Sequence, residues 1–200
     1  MDDGLQNPSL RKDLSFAVVD GAAGLGNGLC LPAGPLRAPM AAQWPPADAL
    51  IMVGEGEPGA EVAREAEARQ KPVLHARLEP DPAVLGCLNG RRVLAFAGIG
   101  RPEKFFATVE ACGAVVTRKR MFADHHPYGP ADLLSLRAEA GREGLLPVTT
   151  EKDFVRLAGL GAEATRGIIA LPVALSFADE AGVRALVAAA LSARRYAPSQ

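Results

Sequence analysis

Residues Arg92–Phe106 read RVLAFAGIGRPEKFF, and they carry the clearest structural pattern in the chain. The run Arg92–Ala97 is almost entirely apolar and is followed by Gly98-Ile99-Gly100, which predicts a buried strand that ends in a tight turn. Pro102 suits the first position of a helix, because the N–H that proline lacks would have no partner there. The stretch therefore predicts a strand–turn–helix unit of a parallel sheet.

The alternation of strand and helix continues from Arg92 to Leu171. Beyond the helix that starts at Pro102, the pattern predicts strands at 114–117 and 146–148 and a helix at 151–157. A further helix should start at Pro130, with Leu133, Leu134 and Leu136 facing inward. Because regular alternation of this kind builds parallel sheets, we predict a small α/β domain of Rossmann-like type over residues 86–170.

The chain before this domain is poorer in strands. Its pattern predicts strands at 14–19 and 49–53, a helix at 60–70 and an extended segment at 72–78. We expect residues 1–77, together with 178–200, to form part of a parallel-sheet domain whose other strands lie elsewhere. The extended segments 72–78 and 171–177 are the expected two-strand hinge between the domains.

Composition excludes some classes of partner. The net charge of −1 gives no basic field for nucleic acid, so we expect no nucleic-acid partner. The three cysteines are scattered without paired spacing, which indicates free thiols and neither a disulfide framework nor a zinc site. No apolar run in the sequence is long enough to span a bilayer.

Two glycine-containing segments near the start are candidates for phosphate chemistry. Asp2 and Asp3 precede Gly4, and paired carboxylates can hold Mg²⁺ beside nucleotide phosphates, although Asp-Asp-Gly is also a common surface turn. Four glycines in Gly21–Gly28 would let backbone N–H groups approach an anion. That run matches neither the P-loop nor the dinucleotide pattern, so a flexible loop is the alternative.

Two further loops could bind anions. Arg37 ends the segment Pro32–Arg37, where rigid prolines flank an arginine suited to a bidentate grip on phosphate, with a solvated arginine as the alternative. The turn Gly98–Gly100 precedes a helix start, which is an anion site in many proteins and an ordinary tight turn in others. A third possibility is an enzyme that binds a dinucleotide at this turn. It is weakened because the sequence has no acidic residue at the end of the next strand, where such enzymes carry one.

The densest group of titratable residues is Asp124–Tyr128, with the sequence DHHPY. In an extended segment Asp124 and His126 would share a face and His125 would point away. A histidine can assist proton transfer, whereas a structural loop is the alternative and three adjacent residues rarely ligate one metal. Farther along, Thr150 should cap the helix at 151–157 with Asp153 completing a capping-box-like arrangement.

Taken together and in order, these motifs resemble those of tetraacyldisaccharide 4′-kinase, the lipid A 4′-kinase family of Gram-negative bacteria. The resemblance covers essentially the whole chain. The motifs that carry it are Asp2–Gln6, Val19–Gly28, Leu31–Arg37, Ala95–Phe106, Asp124–Tyr128 and Thr149–Asp153.

The resemblance implies transfer of the γ-phosphate of ATP, with Mg²⁺, to the 4′-hydroxyl of a tetraacyldisaccharide 1-phosphate. It implies a P-loop core domain joined to the smaller α/β domain, and work at the cytoplasmic face of the inner membrane as a peripheral protein. The roles it assigns are Mg²⁺ binding by Asp2 and Asp3, catalysis by Asp3, His125 and His126, and nucleotide or substrate binding by Gln6, Gly34, Arg37 and Tyr128.

One family feature is absent from these 200 residues, namely the glycine-rich phosphate-binding loop with its lysine. We therefore expect the chain to contain a remnant of a P-loop-type domain and the whole of the smaller domain, with its amino-terminal half missing. It would then be a fragment, the product of a misassigned start, or one half of a split gene. We also expect little activity from the chain alone. The alternative is a non-catalytic remnant that binds a nucleotide or a glycolipid.

Overall fold

The structure is a computed structural model that describes residues 4–7, 9 and 11–195. It divides into two compact units, of which the first lies within 1–78 and 175–200 and the second is Glu79–Ala174. The helices and strands are, in chain order, β1 Phe16–Asp20, α1 Met40–Gln43, β2 Ala49–Val53, α2 Glu57–Ala68, β3 Val73–Pro80, α3 Pro82–Leu88, β4 Arg92–Ala97, α4 Pro102–Ala111, β5 Val115–Met121, α5 Pro130–Glu143, β6 Leu146–Thr150, α6 Glu151–Ala158, β7 Ile169–Leu171, β8 Val173–Phe177 and α7 Glu180–Arg195.

The first unit is built on a sheet with the strand order β1-β2-β3-β8, in which β1, β2 and β3 run parallel. Residues Ala49–Met52 of β2 are buried, because strands flank β2 on both edges and helices cover both faces. One face packs against Val62 and Ala66 of α2, and the other packs against Val183 and Leu186 of α7. The unit is thus a three-layer α/β arrangement.

The two segments expected to form a hinge are strands of this sheet. Segment 72–78 falls almost wholly within β3, and segment 171–177 contains β8, which lies next to β3. The first unit therefore has four strands where the sequence pattern indicated two strands and two extended segments. The hinge role of these segments stays a prediction.

The second unit is built on a sheet with the order β5-β4-β6-β7, and every pair in it is parallel. Residues Val93–Ala97 of β4 are completely buried at its centre. Phe106 and Val109 of α4 cover one face, and Leu136 of α5 with Leu157 of α6 covers the other. The α/β class with parallel sheets, predicted from the alternation of strand and helix, is confirmed.

Helix α5 corrects one expected burial. Leu133 and Leu136 are buried, but Leu134 is 72% exposed. Residues three apart share a helix face, whereas Leu134 lies about 100° around the helix from Leu133 and points to solvent. The expectation that all three leucines face inward is therefore wrong for Leu134.

Helix α3 is not indicated by the apolar pattern, since it is short and only Leu88 in it is buried. It is stabilised locally, because Pro82 occupies its first turn and the Ala83 N–H donates to Asp81 Oδ1 at 2.8 Å. Among the described residues, no helix combines the length and apolar character needed to cross a membrane.

Candidate functional site

The glycine-rich loop after β1 packs tightly against the start of α2. The Gly59 N–H donates to the Gly21 carbonyl at 2.8 Å, and a side chain at Gly21 would come within 2.6 Å of the Gly54 carbonyl oxygen. Asp20 Oδ1 accepts from the N–H groups of Ala22 and Ala23 at 3.0 and 3.2 Å. The glycines thus permit close approach of two backbone segments, and anion binding by this loop stays a prediction.

Gly34 lies in a second loop of the first unit, which closes on itself. The Leu31 N–H donates to the Leu36 carbonyl at 2.9 Å, and the Gly34 N–H donates to the Cys30 carbonyl at 3.0 Å. A side chain at Gly34 would overlap Asn27 Oδ1 and the Leu29 carbonyl. The loop therefore requires glycine at this position for packing, whatever Gly34 binds.

The loop displays two leucines outward and leads into the predicted phosphate-binding arginine. Leu29 is 53% exposed and Leu31 is 66% exposed. Arg37 directly follows Leu36 and is exposed. The loop thus exposes two leucine side chains a few residues before the guanidinium of Arg37.

Of the predicted Mg²⁺–ATP residues, only Gln6 lies among those the structure describes. Gln6 is exposed in a turn closed by the Asn7 N–H to the Gly4 carbonyl, and its Nε2 donates to Gln43 Oε1 at 2.9 Å. Asp2 and Asp3 lie outside the described residues. Within residues 4–7, 9 and 11–195, no group of three or more acidic, histidine or cysteine side chains could hold a metal ion.

In the turn after β4, the backbone N–H of the first glycine, Gly98, is not available to bind an external anion. The Gly98 N–H donates to Asp153 Oδ2 at 2.9 Å, so a carboxylate of the chain already occupies the position an anion would take. On its other side, a Cβ atom at Gly98 would lie 3.1 Å from the His126 Cβ and 3.2 Å from the Tyr128 hydroxyl. Tight packing therefore explains this glycine, and it weighs against dinucleotide binding at Gly98–Gly100.

Asp153 is the fully buried centre of this turn. Besides Gly98 N–H, its carboxylate accepts from Thr150 Oγ1 at 2.8 Å and from Arg156 Nη1 at 2.7 Å. The Asp153 N–H in turn donates to Thr150 Oγ1 at 3.1 Å, so the predicted cap of α6 by Thr150 is confirmed. A buried carboxylate with three hydrogen-bond donors, one of them the Arg156 guanidinium, is well compensated for its lost hydration.

The histidine loop between β5 and α5 is not extended, which corrects the predicted side-chain faces. His125 has a left-handed backbone with φ of 59°, and its N–H donates to the Gly98 carbonyl at 3.1 Å. The His126 N–H donates to the Ala123 carbonyl at 3.1 Å. Alternation of faces holds only for extended backbone, so the expectation that Asp124 and His126 share a strand face is wrong.

His126 is held from three sides. Its Nε2 lies 3.1 Å from Asp132 Oδ2, and its ring centroid lies 4.7 Å from that of Phe122 and 5.0 Å from that of Tyr128. The Asp132 carboxylate also accepts from the Gly129 N–H at 2.9 Å. That backbone hydrogen bond first, and the one from His126 second, lower the pKa of Asp132, so the carboxylate is ionised at neutral pH.

His125 is held by the Asp153 network. Arg156 Nη2 lies 3.1 Å from His125 Nδ1, while Nη1 of the same guanidinium donates to the Gly98 carbonyl at 2.9 Å. The His125 side chain is 82% exposed and its Nε2 lies 3.9 Å from Asp124 Oδ1. Arg156 therefore connects a buried carboxylate to a solvent-exposed imidazole.

Tyr128 lies behind the histidines and is nearly buried. Its hydroxyl has no hydrogen-bond partner among the residues that the structure describes. Burial, followed by the negative charge of the Asp153 carboxylate, raises the pKa of Tyr128 above its ordinary value. The hydroxyl is thus a neutral donor at every physiological pH.

His125, His126 and Tyr128 lie in one loop of the second unit, and their functional roles stay predictions. Sequence reasoning overlooked Asp132 and Arg156, and it gave Asp153 only a capping role. A signal for Asp132 was present, since it stands at the third position of a helix that starts after Gly129, where a carboxylate meets free backbone N–H groups. Nothing in the sequence pattern indicates that Arg156 reaches His125.

A family model for tetraacyldisaccharide-1-P 4′-kinase matches residues 1–192 of the chain. A tetraacyldisaccharide 4′-kinase of Methylorubrum extorquens is 58% identical over 190 residues, which are 95% of this chain and 57% of the relative. One from Rhodopseudomonas palustris is 50% identical over 195 residues, or 98% of this chain and 57% of the relative. The chain thus spans a little over half the length of these relatives.

Among solved structures, the chain resembles a crystal structure described as the "apo" form of LpxK from Aquifex aeolicus in complex with ATP. The TM-score is 0.60 and the sequence identity 23%, and the match covers 94% of this chain and 56% of that one. At this identity the likeness establishes a shared fold.

Proposed function

Because the chain belongs to the tetraacyldisaccharide-1-P 4′-kinase family, we propose that it supplies the carboxyl-terminal part of a lipid A 4′-kinase. The reaction is transfer of the γ-phosphate of ATP to the 4′-hydroxyl of a tetraacyldisaccharide 1-phosphate. The observation that carries the proposal is the imidazole–carboxylate pair of His126 and Asp132, at 3.1 Å, in the segment that resembles the family's histidine motif. An imidazole oriented by a carboxylate is suited to accept a proton from a hydroxyl group.

The remaining roles follow the resemblance. Asp2 and Asp3 are the proposed ligands of Mg²⁺, which would neutralise charge on the nucleotide phosphates. Asp3 also serves catalysis, and Gln6, Gly34, Arg37 and Tyr128 contact nucleotide or lipid substrate. The closed structure of the Gly34 loop supports a positioning role for its backbone, which presents the following Arg37.

The chain alone is expected to have little 4′-kinase activity, because its 200 residues contain no glycine-rich loop with a Lys-Ser/Thr pair. The test compares it with a chimera in which the unmatched part of the Methylorubrum extorquens relative is placed ahead of residue 1. Both are assayed with ATP, Mg²⁺ and tetraacyldisaccharide 1-phosphate. We expect the chimera to turn over at a rate near that of the relative, and the 200-residue chain to show little turnover.

The matched control is the same chimera with the lysine of its phosphate-binding loop replaced by alanine, which should be inactive. Turnover by the 200-residue chain at the relative's rate would contradict the need for that loop. A folded chimera that binds the lipid but does not turn over would favour the non-catalytic binding remnant instead.

We also propose peripheral contact with the inner-membrane surface, where a substrate with acyl chains resides. The exposed side chains of Leu29 and Leu31 support this, because their transfer from water into the membrane interface would be favourable.

Replacing both Leu29 and Leu31 with serine should weaken co-sedimentation of the chain with anionic phospholipid vesicles by about tenfold or more. Leu134→Ser, which alters a still more exposed leucine on α5, is the control and should leave sedimentation unchanged. Equal sedimentation of all three chains would contradict this contact.

A further inference from the structure

The backbone on either side of Gln6 is held by one lysine. Lys12 Nζ donates to the Leu5 carbonyl at 3.2 Å and to the Asn7 carbonyl at 2.6 Å, so a single ammonium group binds the two residues that flank Gln6. The Asn7 N–H also donates to the Gly4 carbonyl at 3.0 Å and closes the turn. The backbone of Gln6 therefore has a fixed place, although the residue itself is exposed.

The side-chain amide of Gln43 is oriented by a group that can only accept. Its Nε2 donates to the Ala38 carbonyl at 2.6 Å. Because a carbonyl oxygen has no hydrogen to give, the nitrogen and not the oxygen of this amide must face Ala38. The same nitrogen lies 3.7 Å from the sulfur of Met40, which is a weak acceptor. Gln43 Oε1 is thereby left for the partner on the other side, which is Gln6.

This orientation decides which atom of Gln6 is left for a ligand. Gln43 Oε1 can only accept, so it must take a hydrogen bond from Gln6 Nε2, and the two atoms lie 2.9 Å apart. Gln6 Oε1 accepts no hydrogen bond from any residue that the structure describes. A ligand at this oxygen must bring a hydrogen, which a sugar hydroxyl does and an ionised phosphate oxygen does not.

We propose that Lys12 and Gln43 are positioning residues that hold Gln6 Oε1 as the acceptor for a sugar hydroxyl of the bound substrate. This inference rests on the proposed kinase function, in which both substrates carry such hydroxyls, namely the ribose of ATP and the disaccharide of the lipid. Gln6 Oε1 accepts a hydrogen bond from one of them and makes no bond to phosphate. An acceptor that is held in place before the ligand arrives loses less conformational entropy on binding.

Gln43 also connects two loops of the first unit. The Ala38 carbonyl that accepts from Gln43 belongs to the residue directly after Arg37, the proposed phosphate-binding arginine. One amide side chain therefore bonds to Gln6 at one end and to the segment that contains Arg37 at the other. Lys12, in contrast, bonds only to carbonyls beside Gln6. Loss of Gln43 should thus disturb both segments, whereas loss of Lys12 should disturb only the first.

Side-chain amide NMR on the whole 200-residue chain tests the orientation without any assay of activity. The chain has four glutamines, and Gln6→Glu, Gln43→Glu and Gln70→Glu assign the side-chain signals of three of them. We expect one amide hydrogen of Gln6 to be shifted by its hydrogen bond to Gln43. One amide hydrogen of Gln43 should be shifted likewise by its hydrogen bond to the Ala38 carbonyl.

Two substitutions of Gln43 separate its two hydrogen bonds. Gln43→Glu keeps an acceptor for Gln6 and loses only the donor to Ala38, so the shifted Gln6 signal should remain. Gln43→Leu loses both groups and should return the Gln6 signal to the position of an exposed, unbonded amide. Gln70→Leu, which alters an exposed glutamine of the same unit, is the matched control and should leave the Gln6 signal unchanged. A Gln6 signal that does not respond to Gln43→Leu would overturn the inference.

Kinetics of the chimera identify the hydroxyl. Gln6→Met should raise the KM of one substrate by about threefold to tenfold, the loss typical of one neutral hydrogen bond, and change kcat little. A higher KM for ATP assigns the ribose, and the effect of Gln6→Met should then disappear with either 2′-deoxy-ATP or 3′-deoxy-ATP. A higher KM for the lipid assigns the disaccharide. Lys12→Met and Gln43→Leu should raise the same KM, and Gln70→Leu should raise neither.

The two readouts separate this inference from the proposed function. If a folded chimera has no kinase activity, the proposed function is wrong, and dissociation constants for ATP and for the lipid replace KM in the same comparison of variants. If an active chimera keeps the wild-type KM for both substrates in Gln6→Met, the kinase function stands and the hydroxyl contact of Gln6 is wrong. If Gln6→Met raises a KM that Lys12→Met and Gln43→Leu leave unchanged, Gln6 binds substrate without the two positioning residues, and their proposed role is wrong.

Discussion

Replacing Asp153 with asparagine is expected to lower the free energy of unfolding of the second unit by about 3–5 kcal/mol, the cost typical of breaking a buried ion pair from one side. The carboxylate is completely buried and accepts from Gly98 N–H, Thr150 Oγ1 and Arg156 Nη1. An asparagine has one acceptor oxygen and a donor –NH₂ group, so at least one of these donors would face another donor. The guanidinium of Arg156 would also lose its counter-charge.

The measurement should follow the second unit separately. Amide hydrogen exchange of Val93–Ala97 in β4 reports its opening, while the fluorescence of Trp44, the only tryptophan, reports the first unit. Glu163→Gln is the matched control, because it breaks a pair with Arg166 in which both side chains are about four-fifths exposed. Glu163→Gln should lower the free energy of unfolding by about 1 kcal/mol or less. A loss of that size for Asp153→Asn would show that the buried network adds little to stability.

The architecture of the second unit could be predicted because its signals are local. Strand β4 is an unbroken apolar run, and Pro102 and Pro130 stand at helix starts where their geometry is suited to the first turn. Each of these features is contained within a few consecutive residues. The predicted strand Arg92–Ala97 matches β4 residue for residue, whereas the predicted burial of Leu134 on α5 was wrong.

The conformation of the histidine loop could not be predicted, because distant residues impose it. His125 adopts a left-handed backbone that non-glycine residues seldom take, and contacts with Gly98 and Arg156 hold it there. Those partners belong to other elements of the fold, namely the turn after β4 and helix α6. A pattern read along the sequence gives an extended segment by default, and the face assignment of Asp124 and His126 failed for that reason.

The role of the glycine-rich turns also could not be decided from the sequence. Their spacing in Gly21–Gly28 and at Gly98 suggests phosphate binding as readily as close packing. In the structure Gly21 packs against the start of α2, and the N–H of Gly98 bonds to Asp153. Whether such a glycine binds phosphate or permits close packing depends on the segment that lies against it, and the tertiary fold determines which segment that is.

In the active chimera, His126→Ala is expected to lower turnover by roughly 10²-fold or more, because the proton acceptor for the hydroxyl is lost. Asp3→Ala should also be damaging, but for another reason. Asp3 is a proposed oxygen ligand of Mg²⁺, so its loss should weaken use of the Mg²⁺–ATP complex and be partly corrected by raised Mg²⁺. The two variants are therefore distinguished by a Mg²⁺ titration at saturating lipid, in which only Asp3→Ala should respond.

His75→Ala is the matched control, since His75 is an exposed histidine on β3 of the first unit and should leave turnover unchanged. His125→Ala should lower turnover less than His126→Ala, because no carboxylate lies within hydrogen-bond distance of the His125 ring to orient it. A silent His126→Ala beside a damaging His125→Ala would reverse the roles of the pair, and Arg156 would then orient the proton acceptor. If both alanine variants are folded and fully active, the loop is structural, and the resemblance to the family's histidine motif does not extend to its chemistry.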